Sequence, residues 1–275
     1  MALSKRKRAQ VIRGVQYAIL VAVVLIIAFT ANWGRVGHAF FDIPVAKAQF
    51  PKVIAVGLVH TVLYTALGFA FGLALGLVLA LMKLSSVGPY RWIATVYVEI
   101  FRGLPALLVL IAVAYGLPLA FPGTILDKST AIMLGLGIVA AAYLGETLRA
   151  GIQAVPRGQV EAARSLGMSP ARTMVWVVIP QAFKIILPPL TNELIALTKD
   201  SSLAYVLGST ISDYELTQFG RAALNTSRSL TPVVVAGLCY LIITIPLSFL
   251  SRYMERRTGG KKIATPESTG LETAA

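Results

Sequence analysis

Apolar residues in this chain do not alternate with polar ones; they run in long blocks separated by polar, mostly basic punctuation. Six blocks stand out, at about residues 15–31, 53–82, 92–121, 130–144, 185–207 and 232–250. Roughly twenty apolar residues cross a bilayer as a helix, and a helix satisfies its own backbone in lipid. The pattern therefore predicts an all-α, polytopic membrane helix bundle of about six transmembrane helices. Its expected divisions are a basic tail at 1–13, an N-terminal transmembrane helix at 14–31, and a five-helix core at 48–254. A long polar loop at 145–185 interrupts that core, and a disordered tail follows at 255–275. The first block also has the basic start and apolar run of a secretory signal peptide. No A-x-A cleavage site follows, and Trp33 suits an interfacial anchor, so the block reads as a membrane helix. Residues 32–52 read as an external loop, and 208–228 as a polar cap over the external mouth.

Several blocks carry internal irregularities. Gly68, Gly72 and Gly76 recur every four residues and give one helix a small-residue face for close packing. The block at 130–144, with Gly135, Gly137 and Ala140–Ala142, reads as small and flexible. Glu99 and Arg102 stand three apart just before Pro105. Two readings fit them, an ion pair carried into lipid or two side chains snorkelling to the interface. The fifth block is interrupted by Pro188-Pro189 and again by Thr198-Lys199-Asp200-Ser201-Ser202. Polar backbone at membrane depth is tolerated where it lines a cavity, so the second cluster is either a pathway segment or an outer loop.

Composition sharpens the class. With 56% hydrophobic and 13% charged residues, the chain is unlike a soluble domain. The formal charge of +13 does not indicate nucleic-acid binding, because the basic residues flank apolar blocks. Seventeen of the 25 Lys and Arg residues fall in the tails and in the loops on their side, six fall on the other side, and Arg102 and Lys199 lie within blocks. The positive-inside bias puts both termini and the long polar loop in the cytoplasm. Cys239 is the single cysteine, so no intrachain disulfide forms. No G-x-x-x-x-G-K-[ST] phosphate loop and no metal-ligand cluster occur in the sequence, which leaves no catalytic residue to name.

The long loop is polar, basic and patterned. Pro156 suits the opening of a short helix and Gly167 its C-cap; Ser169 then suits an N-cap, with Pro170 at the first position of a second helix. Val160, Ala163 and Leu166 share one face of the first helix, giving an amphipathic plug for a groove on another protein. Glu161-Ala162-Ala163, then Gly167, then Val177-Val178-Ile179-Pro180 resembles the EAA loop of bacterial ABC importer permeases. The spacing fits throughout; only Val177 and Ile179 depart from the family's residue types. Glu99-Ile-Phe-Arg-Gly-Leu-Pro105, Tyr115-Gly-Leu-Pro118 and Lys199-Asp-Ser-Ser-Leu203 are similar to permeases of polar amino-acid uptake, of the glutamate, glutamine, histidine and arginine type.

That resemblance implies a type I importer permease in the bacterial cytoplasmic membrane, a transport subunit and not an enzyme. It implies two ABC ATPase subunits that carry the ATP and Mg, a second permease of the same or another sequence, an extracellular amino-acid-binding protein and a polar amino-acid substrate. Glu161, Ala162, Ala163, Arg164 and Gly167 become expected ATPase-coupling residues. A zwitterionic substrate needs a donor for its carboxylate and an acceptor for its ammonium. Lys199, Ser201 and Ser202 are candidates for the first, and Asp200 or Glu146 for the second. Lys199 and Asp200 face one cavity only if the helix unwinds there; Glu99, Arg102 and Thr61 are the alternative site. A stand-alone secondary transporter is the competing reading. It calls for an inverted repeat with paired broken helices, or for carboxylates deep in spans as proton or sodium sites. No convincing repeat is present, the halves of this chain having unlike loops. A membrane-embedded enzyme is disfavoured too, since Cys239 has neither His38 nor His60 nearby in the pattern.

Overall fold

The computed structural model describes residues 5–208 and 210–257; within them every regular element is helical. Helix α1 (Lys5–Thr30) begins inside the expected basic tail, and its apolar window buries nothing against the rest of the chain. The segment expected as a plain loop holds two short helices, α2 (Trp33–Phe40) and α3 (Ile43–Ala48). Each starts on a side-chain cap: Asn32 accepts from the Arg35 N–H at 3.0 Å, and Asp42 from Val45 at 3.2 Å.

The centre of the bundle is a pair of helices. A π-helical stretch at Val53–Leu58 runs into α4 (Val59–Leu84) as one span. Next come α5 (Gly88–Gly103), then α6 (Ala106–Ile111), a π-helical turn and α7 (Leu117–Ala120). Helix α8 (Lys128–Gln153) packs along α4. A Cβ at Gly76 would lie 2.9 Å from the Gly145 nitrogen, one at Gly72 3.1 Å from the Gly137 oxygen, and one at Gly145 3.0 Å from the Gly76 oxygen. The two backbones touch because neither carries a side chain there. This is the small-residue face expected on the second block, and it finds its partner on α8. The block expected to be flexible is thus the most enclosed of all: 56% of the apolar window of α8 is buried, against 33% for the α4 span.

The third block is not a straight crossing. Its two arms, Gly88–Gly103 and Ala106–Ala120, meet at 107°. Pro105 has no N–H to continue the helix and pushes Leu104 to extended backbone, φ −91° and ψ 140°. Among the described residues there are therefore five helices long and apolar enough to cross a membrane, and six spans if the bent pair counts as one. Beyond α8 come α9 (Arg157–Ser165), α10 (Pro170–Thr173), a π-helical turn and α11 (Ile179–Asp200). A 3-10 helix at Ser201–Leu207, then α12 (Leu216–Ser227) and α13 (Thr231–Arg257) complete the described chain. The helix expected to break at Pro188-Pro189 continues through both prolines. Neighbouring polar groups steady it there: the Ser251 hydroxyl of α13 donates to Asn192 at 2.9 Å and reaches the Pro188 carbonyl at 3.4 Å. The tail expected to be disordered from residue 255 is helical to Arg257; residues 258–275 lie outside the described residues.

The glycine seam sets a sharp expectation. Gly76→Ala or Gly145→Ala forces a methyl group against main-chain atoms that cannot rotate away, at a cost of about 1–3 kcal/mol. Gly116→Ala, at a position with open space around it, is expected to cost far less. Thermal unfolding of the detergent-extracted protein measures this; equal midpoints for all three variants would show that the seam does not hold the bundle.

Candidate functional site

Charged groups in a span are expensive in lipid and turn toward protein or water. On α11, Glu193, Ala196, Leu197 and Asp200 are spaced three, four and seven residues apart, so they share one face. That face lines a partly open cavity of about 340 Å3, with Leu104 and Ala106 at the bend and Leu136, Val139, Ala140 and Tyr143 of α8 as its other walls. Two carboxylates thus stand in one chamber between the bent span and the central helix. The Arg102 guanidinium lies 5.4 Å from the centre of the Tyr143 ring, and the Tyr143 hydroxyl donates to the Arg102 carbonyl at 3.5 Å. Arg102, itself outside the lining, thus stacks on the aromatic residue of the cavity wall.

The structure sorts the sequence candidates. Asp200 lines the cavity; Lys199 is exposed on another side of the same helix. The expected unwinding is absent, since α11 is regular to Asp200 and only then tightens to 3-10 geometry. Adjacent residues on a regular helix diverge by about 100°, so Lys199 and Asp200 do not share the chamber. Thr198 donates to the Leu194 carbonyl at 2.8 Å and Ser201 to the Thr198 carbonyl at 2.7 Å, so both hydroxyls are spent within the helix. Ser202 is partly buried and lies outside the cavity lining.

Glu146, a candidate acceptor, is already engaged. It accepts from Lys83 of α4 and from Arg149, whose Nε and Nη2 approach to 2.9 and 2.7 Å. This triad fastens the end of the α4–α8 seam. Glu99 and Arg102 form no ion pair among the described residues, because Arg102 turns to Tyr143 while Glu99 stays exposed. Thr61 is fully buried, and its hydroxyl accepts the Leu216 N–H at 3.1 Å, tying α4 to the start of α12. Glu193 had no place among the sequence candidates, although its seven-residue spacing from Asp200 is legible.

The same end of α12 holds a buried carboxylate. Glu215 accepts from the Gln218 N–H at 2.7 Å, from Thr217 at 2.6 Å and from the Tyr240 hydroxyl at 2.9 Å. Burial pushes its pKa above the ordinary carboxyl value, and these three bonds offset only part of that.

At the other end of the bundle α9 is the short helix expected after Pro156. Gly167 takes φ +83°, the Met168 N–H reaches the Ala163 carbonyl at 3.1 Å, and the Gly167 N–H reaches Arg164 at 3.0 Å. That bond pair is a Schellman C-cap. The Arg164 side chain reinforces it by donating to the Met168 carbonyl at 2.6 Å. Ser169 then caps α10, accepting from Arg172 at 3.3 Å. Val160 and buried Ala163 turn inward, with Val160 on a cluster of Val155, Val178, Ala182 and Ile186. Leu166, expected on the same face, instead sits at the cap and is 85% exposed. Glu161, Ala162 and Arg164 are exposed beside it.

Known proteins resemble this chain in sequence and fold. Residues 72–260 match the family described as binding-protein-dependent transport system inner membrane component. The arginine transport system permease protein ArtQ of Bacillus subtilis (strain 168) is 39% identical over 178 residues, 65% of this chain and 80% of that protein. The L-cystine transport system permease protein TcyB of the same organism is 37% identical over 215 residues, 77% of this chain and 88% of that protein. A crystal structure of an amino acid ABC transporter with histidines contains a chain 38% identical to this one. The match has a TM-score of 0.70 and covers 78% of this chain and 98% of that one.

Glu215 supplies a pH expectation. Its raised pKa means that the protonated form favours folding, a contribution complete below about pH 4 and lost as pH rises through the folded value. Glu215→Gln removes the titration, so its thermal midpoint is expected to fall less than that of the wild type from about pH 4 to 7. Equal slopes for the two proteins would contradict this account.

Proposed function

This chain belongs to the family of binding-protein-dependent transport system inner membrane components, and on that premise we propose that its acidic cavity is the passage for a polar amino acid. It is the permease subunit of an ABC amino-acid importer, a multi-pass protein of the bacterial plasma membrane; ATP and Mg act on a separate ATPase chain. The observation that carries the reading is the pair Glu193 and Asp200 on one face of a membrane helix, turned into a chamber of about 340 Å3. Carboxylates there accept an α-ammonium or a cationic side chain, and Arg102 on Tyr143 is the cation available beside the cavity for an α-carboxylate. Two acids against one cation favour a substrate with net positive charge. Lys199, Ser201 and Glu146 have no part in this assignment.

Coupling is assigned to α9. Its inner side is packed on α11, while Glu161, Ala162, Arg164 and the protruding Leu166 form the surface offered to the ATPase. The working assembly in this reading is two permease subunits, two ATPases and an external binding protein, with both termini and α9 on the cytoplasmic side. ATP favours the closed ATPase pair, the plugs follow, and the cavity changes the side to which it opens. Only unequal binding of ATP and substrate to the two states drives the cycle.

Two expectations follow for the assembled transporter in proteoliposomes. Asp200→Asn and Glu193→Gln should each lower uptake efficiency by about 10- to 100-fold, the loss of one charge-assisted hydrogen bond, with ATPase stimulation retained. Normal uptake by both variants would remove the cavity from the pathway. Gly167→Val places a β-branched residue at φ +83°, at a cost of roughly 1–2 kcal/mol in the cap. Membrane insertion should persist while less ATPase co-purifies and uptake falls; wild-type ATPase recovery and uptake would refute the coupling role.

A further inference from the structure

A second recess lies at the plug end of the bundle, away from the acidic cavity. It is a groove of about 360 Å3 between the start of α11 and the end of α13, lined by Lys184, Leu187, Tyr253, Met254 and Arg257. Its walls are of two kinds. Lys184 and Arg257 supply cations, and the Arg257 guanidinium is held 4.8 Å from the centre of the Tyr253 ring. Leu187 and Met254 supply an apolar floor. The groove lining contains no carboxylate. Glu255 is two residues from Arg257 and so lies about 200° around the helix from it. Neither Lys184 nor Arg257 has a salt bridge among the described residues.

The position is as specific as the chemistry. One turn further into the bundle, Ser251 bonds Asn192 at 2.9 Å and fixes where α11 and α13 cross. The groove opens just beyond that fixed point, where the α13 span ends in Arg256 and Arg257. Arg252 stacks on Phe249 at 4.6 Å along the same stretch, and Trp176 and Phe183 are exposed nearby in sequence on the α11 side. Aromatic and basic side chains gather in this way at the headgroup level of a membrane. Cations at the rim and an apolar floor reaching toward the bilayer match a ligand with an anionic head and a hydrocarbon tail.

We infer that this groove binds one anionic phospholipid, its phosphodiester oxygens on Lys184 and Arg257 and the start of an acyl chain along Leu187 and Met254. A basic pocket between membrane helices is suited to such a headgroup, and each cation near the surface contributes about fivefold in affinity. The apolar floor distinguishes a lipid from a soluble phosphate. The groove is formed by α11 and α13, the two helices joined by the Ser251–Asn192 bond, so an occupied groove reinforces their crossing.

The test uses the intact permease–ATPase complex, delipidated in detergent and read by native mass spectrometry and thermal shift. Added phosphatidylglycerol is expected to bind saturably at one site per chain, while phosphatidylcholine of the same chain length is not. Lys184→Gln and Arg257→Gln should each weaken binding about fivefold, and together about thirtyfold. Arg252→Gln, which removes a cation from the same end but not from the groove, should leave binding unchanged. If the double variant does not assemble, the single variants still give the readout, and Lys184→Arg should preserve binding. Equal binding of both phospholipids, unchanged affinity in the variants, or equal loss with Arg252→Gln overturns the assignment. So does glycerol 3-phosphate displacing the lipid at comparable concentration, which would give the groove to a soluble phosphate.

Discussion

The bundle depends on two backbones touching. In lipid no hydrophobic force pulls one helix onto another, so association rests on close packing and buried polar contacts. α4 and α8 meet that demand with Gly68, Gly72 and Gly76 on one side and Gly137, Ala141 and Gly145 on the other. The seam ends in the Lys83–Glu146–Arg149 triad, which fixes the register of the two helices along their length. α8 uses Gly135 in the same way toward α6, where a Cβ would stand 2.9 Å from the Leu110 Cα. It uses Gly151 toward α11, whose Ile186 fills the space a side chain would need.

A tightly closed centre leaves the cavity little freedom in where to form. The seam occupies one side of α8, and the bend at Leu104-Pro105 turns the third block so that its second arm leans on another. What remains open is the face of α8 carrying Val139 and Tyr143, and α11 crosses it with Glu193 and Asp200 inward. The acids are thus placed by apolar packing together with the polar contact of Ser251 with Asn192. Tyr64, Leu110, Ile132, Leu136 and Leu197 form the cluster beside them and make the wall rigid. A carboxylate held in such a wall loses access to bulk water, so a cationic partner in the chamber gains more from it than from the same group at a surface.

Much of this was legible in the residues, for reasons that differ by feature. Membrane spans follow from length and apolarity, and the Gly167 cap follows because a left-handed residue after a helix is best filled by glycine. The glycine face of α4 was legible, but its partner was not, since small residues on α8 look the same in a flexible helix and in a buried one. Pro188-Pro189 misled because proline tends to break helices, yet α11 continues through both, held beside α13 by the Ser251–Asn192 contact. Asp200 was legible as a cavity residue and Lys199 was not separable from it, because whether the helix unwinds at 198–202 is not written in the residue types. Glu193 stood alone among apolar neighbours, and only its register with Asp200 marks it. Glu146 was legible as a charge, but not as a charge already satisfied from another helix. Asn32 and Asp42 were readable as caps, yet lay in a segment whose proline content suggested a loop.

The physical route from plug to cavity is short and continuous. Val155 and Val160 pack with Val178, Ala182 and Ile186, so the inner face of α9 is part of the hydrophobic cluster that holds the start of α11. From Ile186 to Asp200 α11 is one uninterrupted helix, about 21 Å long at 1.5 Å per residue. A displacement of α9 therefore cannot be absorbed by unwinding at the polar cluster, because Thr198 and Ser201 have closed their hydroxyls onto the helix itself. It cannot be absorbed at the Gly151–Ile186 contact either, where the side chain fills the available space. On the proposed reading the motion passes to α11 and carries Glu193 and Asp200 with it, with Pro188-Pro189 as the point where the helix gives most readily. On the proposed reading, the regular helix that keeps Lys199 out of the chamber is also what lets an ATPase outside the membrane move the acids within it.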